Sequence, residues 1–374
     1  MRALAGLALG SLLSLGLVWA HGRLAPAPRP AAPARGDHVR EDGGPLRAVL
    51  LHYAPDTAPI MLPLYDQLLR ALPRATTVQV ACATAADCAD LGAALAARGF
   101  PDLDRLRPVV VGAAITTWSR DRFAAKRLPD GRLEILAPPR APTPFEPRAG
   151  DGVVPFALGR TVGAPTRTAG FAFEGGDLAS TAHHLFVDVN LLARQQAFRP
   201  VDRATLRAAL AAEFTQEIVL LGQQEGDVPQ HHIMMFLAPL GGRRVVVGDP
   251  AWGQRLLDAD PASRATIPAD RTTATAARFE RVARELGSLG FEVVRAPVVV
   301  LEGGGAYVTY TNALFFEDAG RRVVALPTYG LAALDRAAQD LYRSLGFEVR
   351  PVDVAAVYRH NGSLGCLINV LERG

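Results

Sequence analysis

The chain has 374 residues, 49% of them hydrophobic, which is enough to bury a large core, and a net charge of +3 carried almost wholly by scattered arginines. Without a basic stripe there is little support for nucleic-acid binding. The single lysine, Lys126, and the load of Ala, Arg, Pro and Gly reflect genomic base composition and carry no mechanistic information.

At the N-terminus Arg2 precedes an apolar run from Leu4 to Trp19, and Val18-Trp19-Ala20 offers a cleavage site. Residues 1–20 therefore read as a signal peptide. The run is about 16 residues, or roughly 24 Å as a helix against a ~30 Å hydrocarbon core, which favours cleavage near Ala20 over an uncleaved anchor. Export, with no stable membrane association afterwards, is the expectation. Residues 21–45, rich in Pro, Ala, Arg and Gly, read as a linker, and residues 46–374 as one catalytic domain. In an oxidising compartment Cys82 and Cys88 can close a small disulfide loop, leaving Cys366 as the odd cysteine. Taken alone, Cys366 reads as a buried core residue.

Strand and helix signals then alternate. Ala48 to Tyr53, a helix near Leu62 to Leu72, and Val78 to Ala83 form one unit; Ala86 to Arg98 and Pro108 to Gly112 form a helix-strand piece. A third unit runs from Leu185 to Val189 through a helix around Asp202 to Phe214 into Ile218 to Leu221. Two later stretches echo each other: Gly242-Arg243-Arg244-Val245-Val246 leads to Leu289-Gly290-Phe291-Glu292-Val293, and Gly320-Arg321-Arg322-Val323-Val324 to Leu345-Gly346-Phe347-Glu348-Val349. In the last unit Leu331, Leu334, Ala338, Leu341 and Leu345 keep a helical spacing that Gly346 ends. The total is about five αβ modules. An ordinary doubly wound sheet alternates in the same way, but its nucleotide fingerprint is missing, because Glu302-Gly303-Gly304-Gly305 precedes a strand-like segment instead of a helix.

Four polar clusters punctuate these modules: Trp118-Ser119-Arg120-Asp121, Glu174-Gly175-Gly176-Asp177, His231-His232 and Asn361-Gly362-Ser363-Leu364-Gly365-Cys366. They supply a nucleophile, a base and carboxylates. Cysteine attack on a carbon held between acidic groups suits a cationic guanidinium, whose planar N–H groups Asp121 and Glu174 can grip. Bland readings exist for each: Asp121 beside Arg120 and Arg122 as a surface ion pair, Glu174 as a turn residue, His232 as a core histidine, Asp177 as a turn cap. The pairs His183-His184 and His231-His232 raise a metal site, but adjacent strand residues face opposite sides and no third ligand stands at motif spacing, so no metal or other cofactor is expected.

These motifs, in this order, resemble the guanidine-modifying (pentein) superfamily, and within it agmatine deiminases and bacterial peptidylarginine deiminases. The resemblance runs from about residue 45 to the end and rests on Trp118, Arg120 and Asp121, on Glu174-Gly175-Gly176, on His232-Ile233-Met234-Met235-Phe236, on Tyr310-Thr311-Asn312, and on the glycine-rich turn before Cys366. It implies a single α/β domain with the five-bladed αβ propeller. It also implies Cys366 as nucleophile, His232 as acid and base, Glu174 orienting His232, and Trp118, Asp121 and Asp177 around the substrate. Two departures stand out. Met234 replaces a substrate-gripping aspartate of the histidine motif, and Gly365 and Ile368 replace histidine and threonine around the cysteine.

The function so implied is an exported cysteine deiminase acting on arginine, protein arginine or methylarginine through a thiouronium intermediate, its partner being a small guanidino compound or an arginine side chain. Amidino transfer is one alternative. A non-catalytic guanidine-binding protein disabled at Met234 is the other. In the hydrolase reading the apolar Met234 would accept a substrate methyl group.

Overall fold

The computed structural model describes residues 34–139 and 148–374. The expected signal segment and residues 21–33 of the expected linker lie outside the described residues. The remainder of that linker is part of the fold, against its composition: Asp37–His38 pairs antiparallel with Ala124–Arg127, and His38, Val39, Glu41 and Asp42 are buried. Side chains from far along the chain hold it. Gln216 accepts from the His38 N–H at 2.8 Å and donates to the His38 carbonyl at 2.9 Å, while Glu41 forms a buried ion pair with Arg120. The compact unit runs from Arg35 to Gly374.

The strands of the described residues form five separate sheets of mixed α/β construction. The first sets Asn369–Arg373 beside Leu46–Tyr53, Thr77–Cys82 and Leu106–Val110, so that the last strand of the chain pairs with an early one. In the second, Asp37–His38 is followed by Ala124–Arg127, Leu133–Ala137 and Thr166–Thr168; in the third, Glu217–Leu221, His184–Asp188 and Ala179–Ser180 are neighbours. The fourth orders Leu237–Pro239, Arg244–Asp249, Glu292–Val300 and Tyr307–Thr309, and the fifth Leu314–Asp318, Arg321–Thr328 and Glu348–Asp353. Every sheet holds a parallel pair whose strands are separated in sequence by helix, as parallel pairing requires. The number of sheets equals the number of modules expected, but the membership differs. The two N-terminal pieces share the first sheet, and the second sheet has no counterpart among the expected strands.

The repeat-derived helix is a test of local logic. It spans Ala332–Ser344, buries Leu334, Ala338 and Tyr342 along one face, and ends before Gly346, whose φ of +83° only glycine adopts without strain. Buried Asp335 accepts from the Tyr329 and Leu331 backbone N–H groups, each at 3.0 Å, and from the Tyr310 hydroxyl at 2.8 Å. Full burial of a side chain such as Leu334 contributes about 1.5–3 kcal/mol. At the other end of the chain a disulfide joins Cys82 to Cys88 across a Cα separation of 5.5 Å, tying a strand end to the first turn of helix Ala85–Ala97. Thr84 caps that helix reciprocally with Asp87. No helix among the described residues is long and apolar enough to cross a membrane.

Candidate functional site

Backbone hydrogen bonds join three of the four clusters directly, and the histidine segment reaches them through the His232 side chain. The Gly175 N–H donates to the Asp121 carbonyl at 2.9 Å, and the Arg120 N–H donates to the Cys366 carbonyl at 3.3 Å. The segment 118–121 is therefore the hub to which the glutamate and cysteine turns are attached. Its Arg120 side chain points away into the pair with Glu41 and donates to the Leu178 carbonyl at 2.9 Å, so it is a buried strut and not a surface ion-pair partner of Asp121.

Glycines make this convergence sterically possible. A Cβ on Gly175 would collide with the Arg120 and Phe123 carbonyl oxygens, and one on Gly176 would overlap the His232 ring. A Cβ on Gly362 would enter the Trp118 ring, and one on Gly365 would lie 2.8 Å from Asn312 Oδ1. None of these four glycines has a left-handed φ. They are glycine because four chain segments pack backbone to ring and backbone to backbone.

The result is a cavity of about 860 Å³ whose wall includes Trp118, Asp121, Glu174, Asp177, His232 and Cys366. Six of the seven expected site residues are thus together. Met234 is not among the lining residues; it is buried in an apolar cluster, and its carbonyl accepts from the Thr311 hydroxyl at 2.8 Å. The position that would carry a carboxylate is turned into the core, and no methyl-accepting face follows from it. His183 and His184 do not line the cavity either, and among the described residues no group of three or more His, Cys, Asp or Glu is arranged to hold a metal ion.

Within the cavity His232 Nε2 donates to Glu174 Oε2 at 2.9 Å, and His232 Nδ1 lies 3.8 Å from Asp121 Oδ1. Neither of those last two atoms has a hydrogen-bond partner among the described residues. Burial alone would lower the basicity of His232, but Asp121, the nearby Cys366 side chain and Glu174 together raise its pKa well above the ordinary value, so the imidazolium is the resting form. Burial raises and His232 lowers the Glu174 carboxyl; with Arg194 and Arg148 on the same side as His232, the net shift is downward and Glu174 stays ionised. Burial raises the Asp121 carboxyl above its ordinary value, with Glu174 adding to the rise and His232 and Arg148 opposing it; against that rise, the guanidinium in direct contact favours the carboxylate form. His231 is different. Burial and the charge on His232 drop it to about 3, and its Nδ1 accepts from the His232 backbone N–H at 2.8 Å. It is a neutral spacer beside the charged ring.

Asp177 does two jobs. Its carboxylate accepts from the Glu174 N–H at 2.7 Å, capping the turn, and binds Arg194 at two points, 2.9 and 3.2 Å. Beyond it lies Asp188, raised to about 8 by burial and then by Asp177, which caps helix Val189–Phe198 through the Asn190 N–H at 2.7 Å. Cys366 is buried in the short turn Leu364–Cys366. Fully buried Asn312 donates from Nδ2 to its sulfur at 3.6 Å and accepts from the Gly365 N–H at Oδ1, 2.5 Å away.

Sequence reasoning missed two arginines. Arg148 pairs directly with Asp121 and reaches Glu174 at 3.7 Å, and Arg194 reaches Glu174 at 3.3 Å besides holding Asp177. In an arginine-rich chain neither carries a motif that would have marked it. Arg194 does fall four residues after Asn190 on a helix that starts at the cavity, a placement visible only once that helix is located.

No family model matches the chain, and no curated protein matches it significantly. Solved structures do. An agmatine deiminase from C. jejuni is 16% identical with a TM-score of 0.66, the match covering 90% of this chain and 95% of that one. The agmatine deiminase of Enterococcus faecalis is 13% identical with a TM-score of 0.62, covering 90% and 98%. The chain has the fold of these proteins, so the resemblance to the guanidine-modifying superfamily holds at the level of architecture.

Proposed function

We propose that the chain is a cysteine hydrolase of guanidino compounds, with its five sheets acting as blades of an αβ propeller around the catalytic cavity. One observation carries this reading: Cys366, the His232–Glu174 pair and Asp121, from four separate segments, line the same cavity. The remainder is chemistry. Asp121 and Glu174 hold the planar cation by its N–H groups, and the Asn312 amide faces the sulfur that must act as thiolate. The Cys366 sulfur bonds to the central carbon, and the His232 imidazolium gives its proton to the departing amine as the C–N bond breaks. Neutral His232 then takes a proton from water, whose oxygen bonds to the carbon of the thiouronium as the C–S bond breaks. A ureido product, an amine and the original thiolate result. The Glu174 carboxylate orients the ring in both steps and favours its charged form.

The domain layout of the proposal keeps residues 1–20 as a cleaved leader and an exported mature chain, a placement supported by the Cys82–Cys88 disulfide. The test is ureido-product formation from a panel of arginine, methylarginine, peptidyl arginine and simple guanidines, by the mature chain and by Cys366→Ala. Turnover of at least one compound that drops by about 10³-fold or more in the variant is expected. Product from Cys366→Ala at the parent rate would overturn the assignment. A second reading, guanidine binding without turnover, is favoured by one observation: the cavity carboxylates already hold the protein's own arginines. Saturable binding with no product from any of the panel would establish it.

A further inference from the structure

A second cavity, of about 580 Å³, adjoins the first, since Trp118 and His360 line both. The two differ in chemistry. Apart from Trp118, Gly305 and Cys366, every described residue lining the catalytic cavity is polar or charged, and none has an aliphatic side chain. Beyond Trp118 the wall is built largely from Ala54, Pro55, Ile60, Met61, Ile115 and Val357. Its carboxylate among the described residues, Asp56, is exposed.

Several polar groups of this annex are already engaged by the protein. The Tyr53 hydroxyl donates to Asp90 at 2.5 Å, the Thr57 hydroxyl to the Ala54 carbonyl at 2.8 Å and the Thr116 hydroxyl to Asp151 at 2.6 Å. The Cys82–Cys88 disulfide fixes the chain next to Ala83, another residue of the wall. The annex is thus preformed, with a volume inside the range of small-molecule sites, about 300–1,000 Å³. Ile60 points the same way. It lies in the first turn of helix Ala58–Ala71 beside buried Met61, yet it is itself exposed, which few large hydrophobic side chains are among the described residues.

Trp118 decides what occupies the annex. Its ring packs on Gly362, in the turn that leads to Cys366, so a group lying against it from the annex side is next to the reacting centre. A guanidinium held by Asp121 and Glu174 carries its substituent away from those carboxylates. In the catalytic cavity an apolar substituent meets charged and polar walls, whereas past Trp118 it meets hydrocarbon and is removed from water. We propose that the annex is the subsite for the apolar portion of the substrate: a guanidino compound whose alkyl or aryl substituent runs past Trp118 and ends beside Ile60.

This inference rests on the guanidine reading of the catalytic cavity and is tested separately from it. The full chain carrying Cys366→Ala is titrated calorimetrically with ethylguanidine, n-octylguanidine and n-octylurea, the last having the same shape without the charge. Each buried methylene is worth about fourfold in affinity, so octylguanidine is expected to bind about tenfold or more tightly than ethylguanidine. In the same background Ile60→Ser removes apolar wall and Ala114→Leu, at another exposed lining position, fills part of the space. Each is expected to weaken octylguanidine by about threefold or more and to leave ethylguanidine unchanged. Equal affinity for the two guanidines, or an octyl advantage that neither variant touches, overturns the subsite while leaving the guanidine site standing. Octylurea binding as tightly as octylguanidine would make the annex an apolar site independent of the cavity, and overturns the proposal in the same way. Failure of both guanidines to bind overturns both readings.

Discussion

The molecule holds two clusters of buried charge, and they are built to opposite ends. In the second sheet Lys126, fully buried, contacts Glu134 at 2.6 Å and Glu213 at 3.3 Å, and Arg167 closes the group by pairing with both acids. In the cavity Asp121, Glu174 and Asp177 face Arg148, Arg194 and His232. Both nearly cancel in charge. The first is centred on a fully buried lysine, with only Arg167 partly exposed, so its lysine pairs are shielded from any ligand by the packing around them. The second opens onto about 860 Å³ of space, and its Asp121 Oδ1 and His232 Nδ1 have no hydrogen-bond partner among the described residues. Compensation in an enclosed cluster is structural; in an open one, a ligand of like charge can take over a partner.

That contrast breaks first at Lys126. Its removal leaves Glu134 and Glu213 with Arg167 alone inside the protein, and losing one partner of a buried ion pair costs about 3–5 kcal/mol. Lys126→Ala should lower the urea midpoint accordingly while leaving the rate of Cys366 alkylation unchanged in the folded protein. A variant as stable as the parent, or one whose alkylation rate changes, would mean that the two clusters are not separate. The next effect has the reverse signature. Gly176→Ala drives a methyl group into the His232 ring, and a displacement of about 1 Å in a reacting group lowers turnover by about 10²-fold. Stability should fall far less than in the lysine variant. An alanine that left turnover intact would argue against His232 as the proton carrier.

Much of the cavity's chemistry was legible because it lies in short motifs. Trp118, Asp121, Glu174, His232 and Cys366 stand in short motifs, those of Glu174 and Cys366 carrying glycines that announce close packing, and the repeat from Arg321 to Val349 revealed strand, helix and stop. What stayed hidden is explained by the same two clusters. The second sheet has strands of only a few residues, and its central pair carries Lys126 opposite Glu134, charges that disguise a buried strand as a surface one. Residues 36–45 lack apolar periodicity because polar side chains from distant segments hold them. Arg148 and Arg194 required the three-dimensional meeting of the motifs before either had a meaning. Met234 was misread for the converse reason: motif register fixes a position in the chain, whereas the direction of a side chain in the turn Ile233–Met235 depends on packing.

The smallest effect separates the clusters by pH. Only the cavity group contains an imidazole. His232 has a raised pKa in the folded protein, so its contribution to stability is complete below its ordinary value of 6.5 and is lost as pH rises through the higher folded value. Glu174 is lowered, so its contribution is complete above its ordinary 4.5 and is lost as pH falls through the folded value. The pair is therefore worth most between pH 4.5 and 6.5. In that window His232→Gln should be less stable than the parent by about 1.5–3 kcal/mol, the range for a hydrogen bond between charged groups. Raising the pH toward 9 should shrink the gap, because the parent loses the imidazolium while the variant has none to lose. Lys126→Ala offers the control: its deficit should persist over the same rise, since no imidazole takes part in that cluster. A gap for His232→Gln that stays constant from pH 6 to pH 9 would mean that the ring is neutral at rest, and the proton for the departing amine would have to come from another group.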